Sequence, residues 1–353
     1  RGVLDFSKDA ASLSALVRGL DYGTYANTLT LPKLALRNGV FLVVEKLTLS
    51  RGKGPPGTVL SMAPQKVTVA VADGAVTLSN IRDLDGRTVD VTQYLKKGDS
   101  LQNGPISEPD LNDEPWLIEV LTQSLPLRLS LVTDRPDRGT ERIKSIAAVP
   151  DMGQDMRAAI AMLSILDGTG RQSGHIAFGK TPLSGLMAHW LPLHVSAEKG
   201  DLIADVFDTV RANLKTARKS AGMARDLLLR YPEMPTDIAP QVGLSFDNIA
   251  VAGAALTVCV TPAETILRYD PARLSEAAAD LIVARLSHAM AHAATAQTCN
   301  DLWSIPPSEH ALQVESWNAT DRGVSQQTLH QAIEAQVART PDRTALIYED
   351  QEL

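Results

Sequence analysis

The sequence contains only two cysteines, Cys259 and Cys299, among 353 residues. So few thiols exclude a disulfide framework and a cysteine-rich zinc site, and they predict two reduced thiols in a cytoplasmic protein. No run of about 18 apolar residues occurs, so no membrane span is expected. The first residues also lack the pattern of a signal peptide. Because the chain begins at Arg1 rather than at methionine, we expect a fragment or a processed chain.

The chain has fewer positive than negative side chains: 34 lysines and arginines against 41 aspartates and glutamates, for a net charge of −7. An acidic chain is not expected to bind nucleic acid or an anionic membrane through charge alone. Adjacent histidines are absent as well. Hydrophobic residues make up 44% of the chain, which is enough to build real cores, and the length predicts about two domains with a linker or tail.

The first hundred residues change from a helical period to a strand period. Ser7 or Asp9 can cap a helix that ends near Gly23, with its apolar residues at helical spacing. Short strands are then predicted at 39–45, 59–61, 67–71 and 75–78. Asp73-Gly74 predicts a hairpin, and Asp85-Gly86 predicts a second turn. Several short strands joined by turns favour a small β barrel.

Three stretches of this region carry a family resemblance: Leu4-Asp5-Phe6-Ser7, Arg18-Gly19-Leu20-Asp21 and Pro56-Gly57-Thr58-Val59-Leu60. They resemble the C-terminal domain of methionyl-tRNA formyltransferase and its relatives. The resemblance implies a formyltransferase C-terminal-like helix plus OB-like barrel over residues 1–100. In that family the catalytic Asn, His and Asp and the formyl-tetrahydrofolate site belong to the preceding domain, so no catalytic residue is assigned here.

Residues 101–113 are polar with Gly and Pro, and they predict an interdomain linker. After it, helical and strand patterns alternate, which indicates an α/β layer. The helix at 151–166 presents Met156, Ile160 and Leu163 on one apolar face. Further helices are predicted at 116–123, 201–220 and 274–297, and strands at 127–132 (ending at the turn Asp134-Arg135-Pro136), 175–179, 191–195, 242–246 and 256–260.

This order of elements resembles the C-terminal lobe of a nonribosomal peptide synthetase condensation domain. The resemblance rests on the motifs Trp116-Leu117-Ile118-Glu119-Val120-Leu121 and Ser173-Gly174-His175-Ile176-Ala177-Phe178, and on the segment 186–193. It implies one truncated, chloramphenicol-acetyltransferase-like α/β lobe over residues 114–302. The family uses two lobes and a His-His-x-x-x-Asp motif. No His-His pair exists here, so condensation by the usual mechanism is not expected.

The last segment, residues 303–353, resembles the junction between condensation and adenylation domains. The motif Trp317-Asn318-Ala319-Thr320 is similar to the linker, and Arg339-Thr340-Pro341-Asp342-Arg343 is similar to the entry into the adenylation domain. The resemblance implies a helix at 329–338 that packs on that domain and a first strand at 344–348.

Other motifs have a simpler interpretation than the chemistry they suggest. Residues 174–181 match a phosphate-binding loop letter for letter, but the apolar strand lies inside the supposed loop, which favours coincidence. His288 and His292 have helical metal spacing without a third ligand, so a solvated helix face is favoured. His189 and His194 flank a strand and are more typical of satisfied or exposed side chains than of bases. No catalytic, cofactor-binding or metal-binding residue is therefore assigned.

The favoured function is a noncatalytic structural or docking region of a nonribosomal peptide synthetase, which places a formyltransferase-like unit next to an adenylation domain. The alternative is the tail of an active formyltransferase or acyltransferase module that modifies a carrier-bound aminoacyl thioester. A third hypothesis is a docking platform whose apolar lobe face is covered by the barrel or by a second copy.

The predicted partners are the upstream formyltransferase-like domain and the downstream adenylation and carrier domains in cis, with a homodimer as a further expectation and neither nucleic acid nor membrane. The segment itself is expected to hold no cofactor. The resemblance implies ATP with magnesium, phosphopantetheine and formyl-tetrahydrofolate for the parent protein.

Overall fold

The computed structural model describes residues 2–101, 112–133, 139–147, 149, 151–181, 185–235, 238–321, 323 and 326–352. The chain divides into two compact units, Arg1–Ile305 and Pro306–Leu353. The helices are α1 Ala10–Gly19, α2 Glu114–Gln123, α3 Gln154–Gly168, α4 Ile203–Lys219, α5 Leu227–Arg230, α6 Glu276–His292, α7 Cys299–Leu302, α8 Pro307–His310 and α9 Leu329–Arg339. The strands are β1 Lys33–Ala35, β2 Phe41–Ser50, β3 Val59–Ala63, β4 Lys66–Val71, β5 Gly74–Arg82, β6 Arg142–Ile146, β7 Ser173–Gly179, β8 Trp190–Ser196, β9 Val242–Ser245, β10 Leu256–Val260, β11 Thr265–Tyr269, β12 Ile347–Tyr348 and β13 Gln351–Glu352.

Residues 2–101, here called the first-sheet part, form an antiparallel sheet in the order β1-β2-β5-β4-β3. The predicted OB-like barrel is not confirmed: across residues 2–101, all of which are described, no pairing joins β1 to β3 to close the sheet. Other segments occupy the two edges instead. Val3 bridges Lys33 beside β1, and Ser100 bridges Thr58 just before β3. The architecture is therefore an open sheet with covered edges, which limits edge-to-edge pairing.

Two aspartates fix the start of helix α1, and one of them joins it to the β4–β5 hairpin. Asp9, one of the two predicted caps, accepts a hydrogen bond from the Ser12 amide at 2.7 Å and starts the helix. The predicted hairpin is confirmed, but Gly74 already pairs with Val71, so the turn lies at residues 72–73. Asp73 accepts from the Ala10 amide at 2.8 Å, which fixes the hairpin against the start of α1.

Residues 112–305, here called the second-sheet part, contain a mixed six-stranded sheet in the order β6-β11-β10-β9-β7-β8. Strands β7, β9 and β10 run parallel, and the other pairings are antiparallel. The three parallel strands are buried along nearly their whole length, as expected for strands covered on both faces. Helices α3, α4 and α6 pack against this sheet and form one large apolar core with it.

Two sequence predictions in this part are wrong. Residues 127–132 do not form a strand. The Leu129 amide donates a hydrogen bond to the Gln241 side chain at 2.6 Å. The segment makes only isolated β-bridges at its ends. Helix α3 is buried all round from residue 157 to 163 rather than on one face, because it lies among α4, α6 and the sheet.

The predicted turn at residues 134–136 lies outside the described residues, as does most of the linker, residues 102–111. Strands β1, β6 and β11 were not predicted.

The start of α6 offers a clean test of local capping. Ser275 accepts a hydrogen bond from the Ala278 amide at 3.2 Å. Replacing Ser275 by alanine is expected to lower the free energy of unfolding by about 1 kcal/mol, measured by urea denaturation. Ser275→Asp, which keeps a favoured capping group, should stay close to the original protein. An equal loss in both variants would contradict the capping role.

The second unit contains α8, a π-helical segment Ala311–Ser316, α9 and the short β12–β13 hairpin. The predicted helix at 329–338 is confirmed as α9, whereas the predicted strand at 344–348 is reduced to two residues. None of the helices within the described residues is long and apolar enough to cross a membrane.

Candidate functional site between the two sheets

The first-sheet and second-sheet parts meet along a contact that the segment 225–230 dominates. A small apolar cluster spans this contact. Leu186 and Leu229 come from the second-sheet part, and Ala35, Phe41 and Val43 are among the residues that face them from the first. The contact therefore covers apolar surface that a separated second-sheet part would expose to water.

Four charged side chains are buried together in the same contact. Lys33 of β1 lies 2.6 Å from Asp226, and Arg230 lies 3.2 Å from the other oxygen of Asp226. Arg230 also pairs with Glu114. Its Nη1 donates at 2.8 Å to the carbonyl of Thr28 in the first-sheet part. The four groups, here called the charge cluster, are two cations and two anions, so the net charge is zero.

Burial makes this balance important, because the Arg230 side chain is only 2% exposed. Burial by itself lowers the pKa of Arg230, but the charges of Asp226 and Glu114 and their hydrogen bonds outweigh it and raise the pKa. Each charge is therefore stabilised only while its partners are present. Since Lys33 and the Thr28 carbonyl come from one part and the other three side chains come from the other, the cluster is complete only when the two parts are docked.

Glycines allow the two backbones to approach closely. A Cβ built on Gly185 would collide with the Gly39 carbonyl oxygen, and one on Gly86 would lie 2.7 Å from a methyl group of Leu229. Gly86 also has a φ of 86°, which side-chain-bearing residues rarely adopt. The turn predicted at Asp85-Gly86 therefore forms part of the contact surface.

Replacing Gly86 by alanine is expected to lower the free energy of unfolding by about 2 kcal/mol, from backbone strain plus the collision with Leu229. Gly98→Ala is the matched control, because Gly98 has a φ of 91° but nothing within 4 Å of its added Cβ. Gly98→Ala should lower the free energy of unfolding by about 1 kcal/mol, from backbone strain alone. Equal losses in the two variants, measured by thermal and urea denaturation, would contradict close packing at Gly86.

The residues that the sequence singled out do not converge on a reaction centre. The phosphate-loop match is strand β7, and the Lys180 amine donates to the carbonyls of Ala217 and Arg218 at the end of α4. His288 bonds with Ser304, and His292 Nδ1 donates to the His288 carbonyl. Within the described parts of the chain, no group of three or more His, Cys, Asp or Glu could hold a metal ion.

Both cysteines and one histidine are buried. Burial raises the pKa of the Cys259 and Cys299 thiols to about 11, so both are protonated at neutral pH. His175 Nδ1 lies 2.9 Å from the Ser124 hydroxyl, and burial lowers the pKa of His175 to about 4. Its Nε2 is buried without a hydrogen-bond partner among the described residues.

Sequence reasoning missed the charge cluster. Arg230 follows three leucines at the end of a short apolar run, and an arginine is rarely fully buried. The run of leucines was the available signal. It indicates burial of α5 but does not indicate that Glu114, 116 residues away, completes the pair.

The comparisons with known proteins give one family match that falls on the first-sheet part. Residues 1–98 match the family model described as formyl transferase, C-terminal domain. A methionyl-tRNA formyltransferase of Streptococcus agalactiae is 30% identical over 92 residues, which cover 26% of this chain and 27% of that protein. A linear gramicidin synthase protein of Brevibacillus parabrevis is 31% identical over 132 residues, which cover 35% of this chain and 2% of that protein.

Two solved structures are also similar. The starter condensation domain of rhizomide synthetase has 14% identity and a TM-score of 0.45, with 83% of this chain and 88% of that chain covered. A four-domain nonribosomal peptide synthetase bound to AMP and glycine has 12% identity and a TM-score of 0.47, with 77% and 28% covered. Because both TM-scores are below 0.5, neither similarity contributes to the function proposed below.

Residues 1–98 thus carry a formyltransferase C-terminal-type domain. A stretch of 132 residues, 35% of the chain, is similar to a linear gramicidin synthase protein. The chain spans about a quarter of the length of the formyltransferase that it matches and a small fraction of the synthase.

Proposed function

We propose that this chain is a noncatalytic connecting region of a nonribosomal peptide synthetase in natural-product biosynthesis. It holds a formyltransferase-type domain at a fixed position on a truncated condensation-type lobe that leads into an adenylation domain. With the boundaries predicted from the sequence, these are residues 1–100, 114–302 and 303–353, with a linker at 101–113. The partners are the formyltransferase-like domain upstream and the adenylation and carrier domains downstream, all in cis.

The observation that carries this proposal is the charge cluster. A flexible tether would need no buried ion pairs between its parts, and burying four charges is costly unless the geometry is well defined. Arg230 pairs with two carboxylates and a carbonyl from three separate segments of the chain. Such a contact gives one orientation rather than many, which is what positioning of a neighbouring catalytic domain requires.

Intact-mass measurement of a carrier domain tests the proposal. A carrier protein loaded with an aminoacyl thioester is incubated with this chain and formyl-tetrahydrofolate, and in a second reaction with an acyl donor thioester. We expect no mass gain in either reaction, because the described residues bring no catalytic group to the contact. A formyl-sized or acyl-sized gain that requires the chain would refute the noncatalytic function.

The alternative function is the tail of an active formyltransferase module that modifies a carrier-bound aminoacyl thioester. The match of residues 1–98 to the formyl transferase C-terminal domain favours it. It requires catalytic residues in a preceding domain. Formyl transfer by the longer protein that is lost when residues 1–101 are deleted, but retained when Arg230→Met breaks the charge cluster, would favour this alternative over a region that only positions the domain.

A further inference from the structure

A wide cleft on the first-sheet part borders the contact described above. It has a volume of about 770 Å³ and lies between the end of α1, the following loop and strands β2 and β5. Its lining is mixed, with Val17, Leu20 and Leu47 beside Tyr22 and Tyr25. Leu229 of the second-sheet part closes one side, so the cleft continues the surface on which the two parts meet.

Large side chains are exposed along the segment that forms one wall of this cleft, and two of them, Tyr22 and Tyr25, line it. Tyr25 is 81% exposed and Leu29 is 62% exposed, and Leu16 and Tyr22 of the same segment are also exposed. Four such side chains within 14 residues of chain are unusual on a surface that only meets water. We call residues 16–29 the aromatic segment.

The start of the described chain lies next to the cleft. The Lys33 amide donates to the Gly2 carbonyl at 2.8 Å, and a Cβ on Gly2 would collide with the Leu31 carbonyl oxygen. Leu31 and Pro32 line the cleft. A polypeptide that precedes residue 1 therefore enters the first-sheet part at the rim of the cleft, beside the aromatic segment.

The charges around the cleft favour a protein surface over a nucleic acid. Its lining includes Arg18 and Lys46, but also Asp21 and the Glu45–Arg82 ion pair at 2.7 Å. A surface that binds phosphates needs an excess of cations along a stripe, whereas mixed charges around exposed aromatic side chains are typical of protein interfaces.

We propose that the cleft and the aromatic segment form the docking surface for the domain that precedes residue 1 in the longer protein. This inference rests on the proposed function, because it names the surface by which the formyltransferase-like unit is held. The matched family model is by its description a C-terminal domain, and the match covers 27% of the methionyl-tRNA formyltransferase. A further domain of substantial size is thus the occupant that the comparison favours.

Chemical modification of tyrosine, read by mass spectrometry, tests the proposal in the longer protein and in the 353-residue chain. We expect modification of Tyr25 to fall by about fivefold or more in the longer protein, since a side chain in an interface core is largely desolvated. Tyr348, which is 68% exposed and lies in the second unit, serves as the control. In the longer protein, the double variant Leu16→Asp and Leu29→Asp should restore modification of Tyr25. Tyr94→Asp, on the same part but outside the cleft, should not.

The outcomes separate the two proposals. A longer protein that formylates its carrier while Tyr25 remains as reactive as in the 353-residue chain would overturn the docking surface and leave the proposed function standing. Protection of Tyr25 in the 353-residue chain by added transfer RNA would also overturn the docking surface, because the occupant would then be RNA. Absence of any formyltransferase-like domain before residue 1 would instead overturn the proposed function.

Discussion

Replacing Arg230 by methionine is expected to lower the free energy of unfolding of the first unit by about 3–5 kcal/mol. Methionine fills a similar volume but removes the cation that pairs with Asp226 and Glu114. Lys33 then remains as the cation beside Asp226, and Glu114 loses its ion pair with Arg230 while staying largely buried. The penalty arises mainly from the uncompensated Glu114 carboxylate rather than from lost packing. Urea denaturation followed by circular dichroism measures it.

Arg225→Gln is the matched control for this experiment. Arg225 pairs with Asp85 across the same contact at 3.1 Å, but both side chains are more than one third exposed. Solvent screens such a pair, so the expected loss is below about 1 kcal/mol. The double variant Arg230→Met and Glu114→Gln should be more stable than Arg230→Met alone, because it also removes the unpaired Glu114 carboxylate. Similar small losses for Arg230 and Arg225 variants would contradict a buried, orientation-fixing cluster.

Protonation of His175 is expected to destabilise the folded chain by about 3 kcal/mol between neutral pH and pH 4. Burial lowers the pKa of His175 from 6.5 to about 4, so the folded state resists the proton that the unfolded chain accepts near pH 6.5. The contribution of the neutral His175 to the free energy of unfolding is fully present above pH 6.5. It is lost progressively as the pH falls from 6.5 to 4, and it is constant below that range.

The difference between the original protein and His175→Gln isolates this effect, because glutamine does not titrate and the carboxylates contribute equally to both. We expect the two stability curves to run parallel above pH 6.5 and to converge as the pH falls toward 4. His194, which pairs with His175 in register on β8 but is only partly buried, provides the comparison. His194→Gln should change the pH dependence less. Parallel curves for His175→Gln throughout the range would contradict a buried neutral imidazole.

Local sequence signals determined most of the elements that depend on neighbouring residues. Helices α1 and α4 and strands β4, β7 and β8 follow from periodicity and capping, and their structures agree with the predictions, as does helix α9, which the resemblance implied. The hairpin at residues 72–73 follows from Asp73-Gly74. These features depend on interactions within a few residues of chain, where propensity and hydrogen bonding to the local backbone decide the outcome.

Elements that depend on distant partners were mispredicted or missed. Apolar and polar residues alternate over 127–132 as in a strand. The Leu129 amide, however, donates its hydrogen bond to the side chain of Gln241, more than a hundred residues away. The short strand β6 carries a weak pattern and forms by pairing with β11, which itself pairs with β10 on its other side. The covered edges of the first sheet follow from the paths of residues 3 and 100, which turn signals do not specify.

The sequence by itself pointed to a formyltransferase C-terminal-type domain, because its motifs lie in the region that the family model matches. The similarity to a peptide synthetase is found again in a relative that is 31% identical over 132 residues. Only the tertiary structure decided where the two sheets meet. Lys33, Glu114, Asp226 and Arg230 are ordinary charged residues along the chain. They become a site because folding brings them together out of water, where each charge depends on the others.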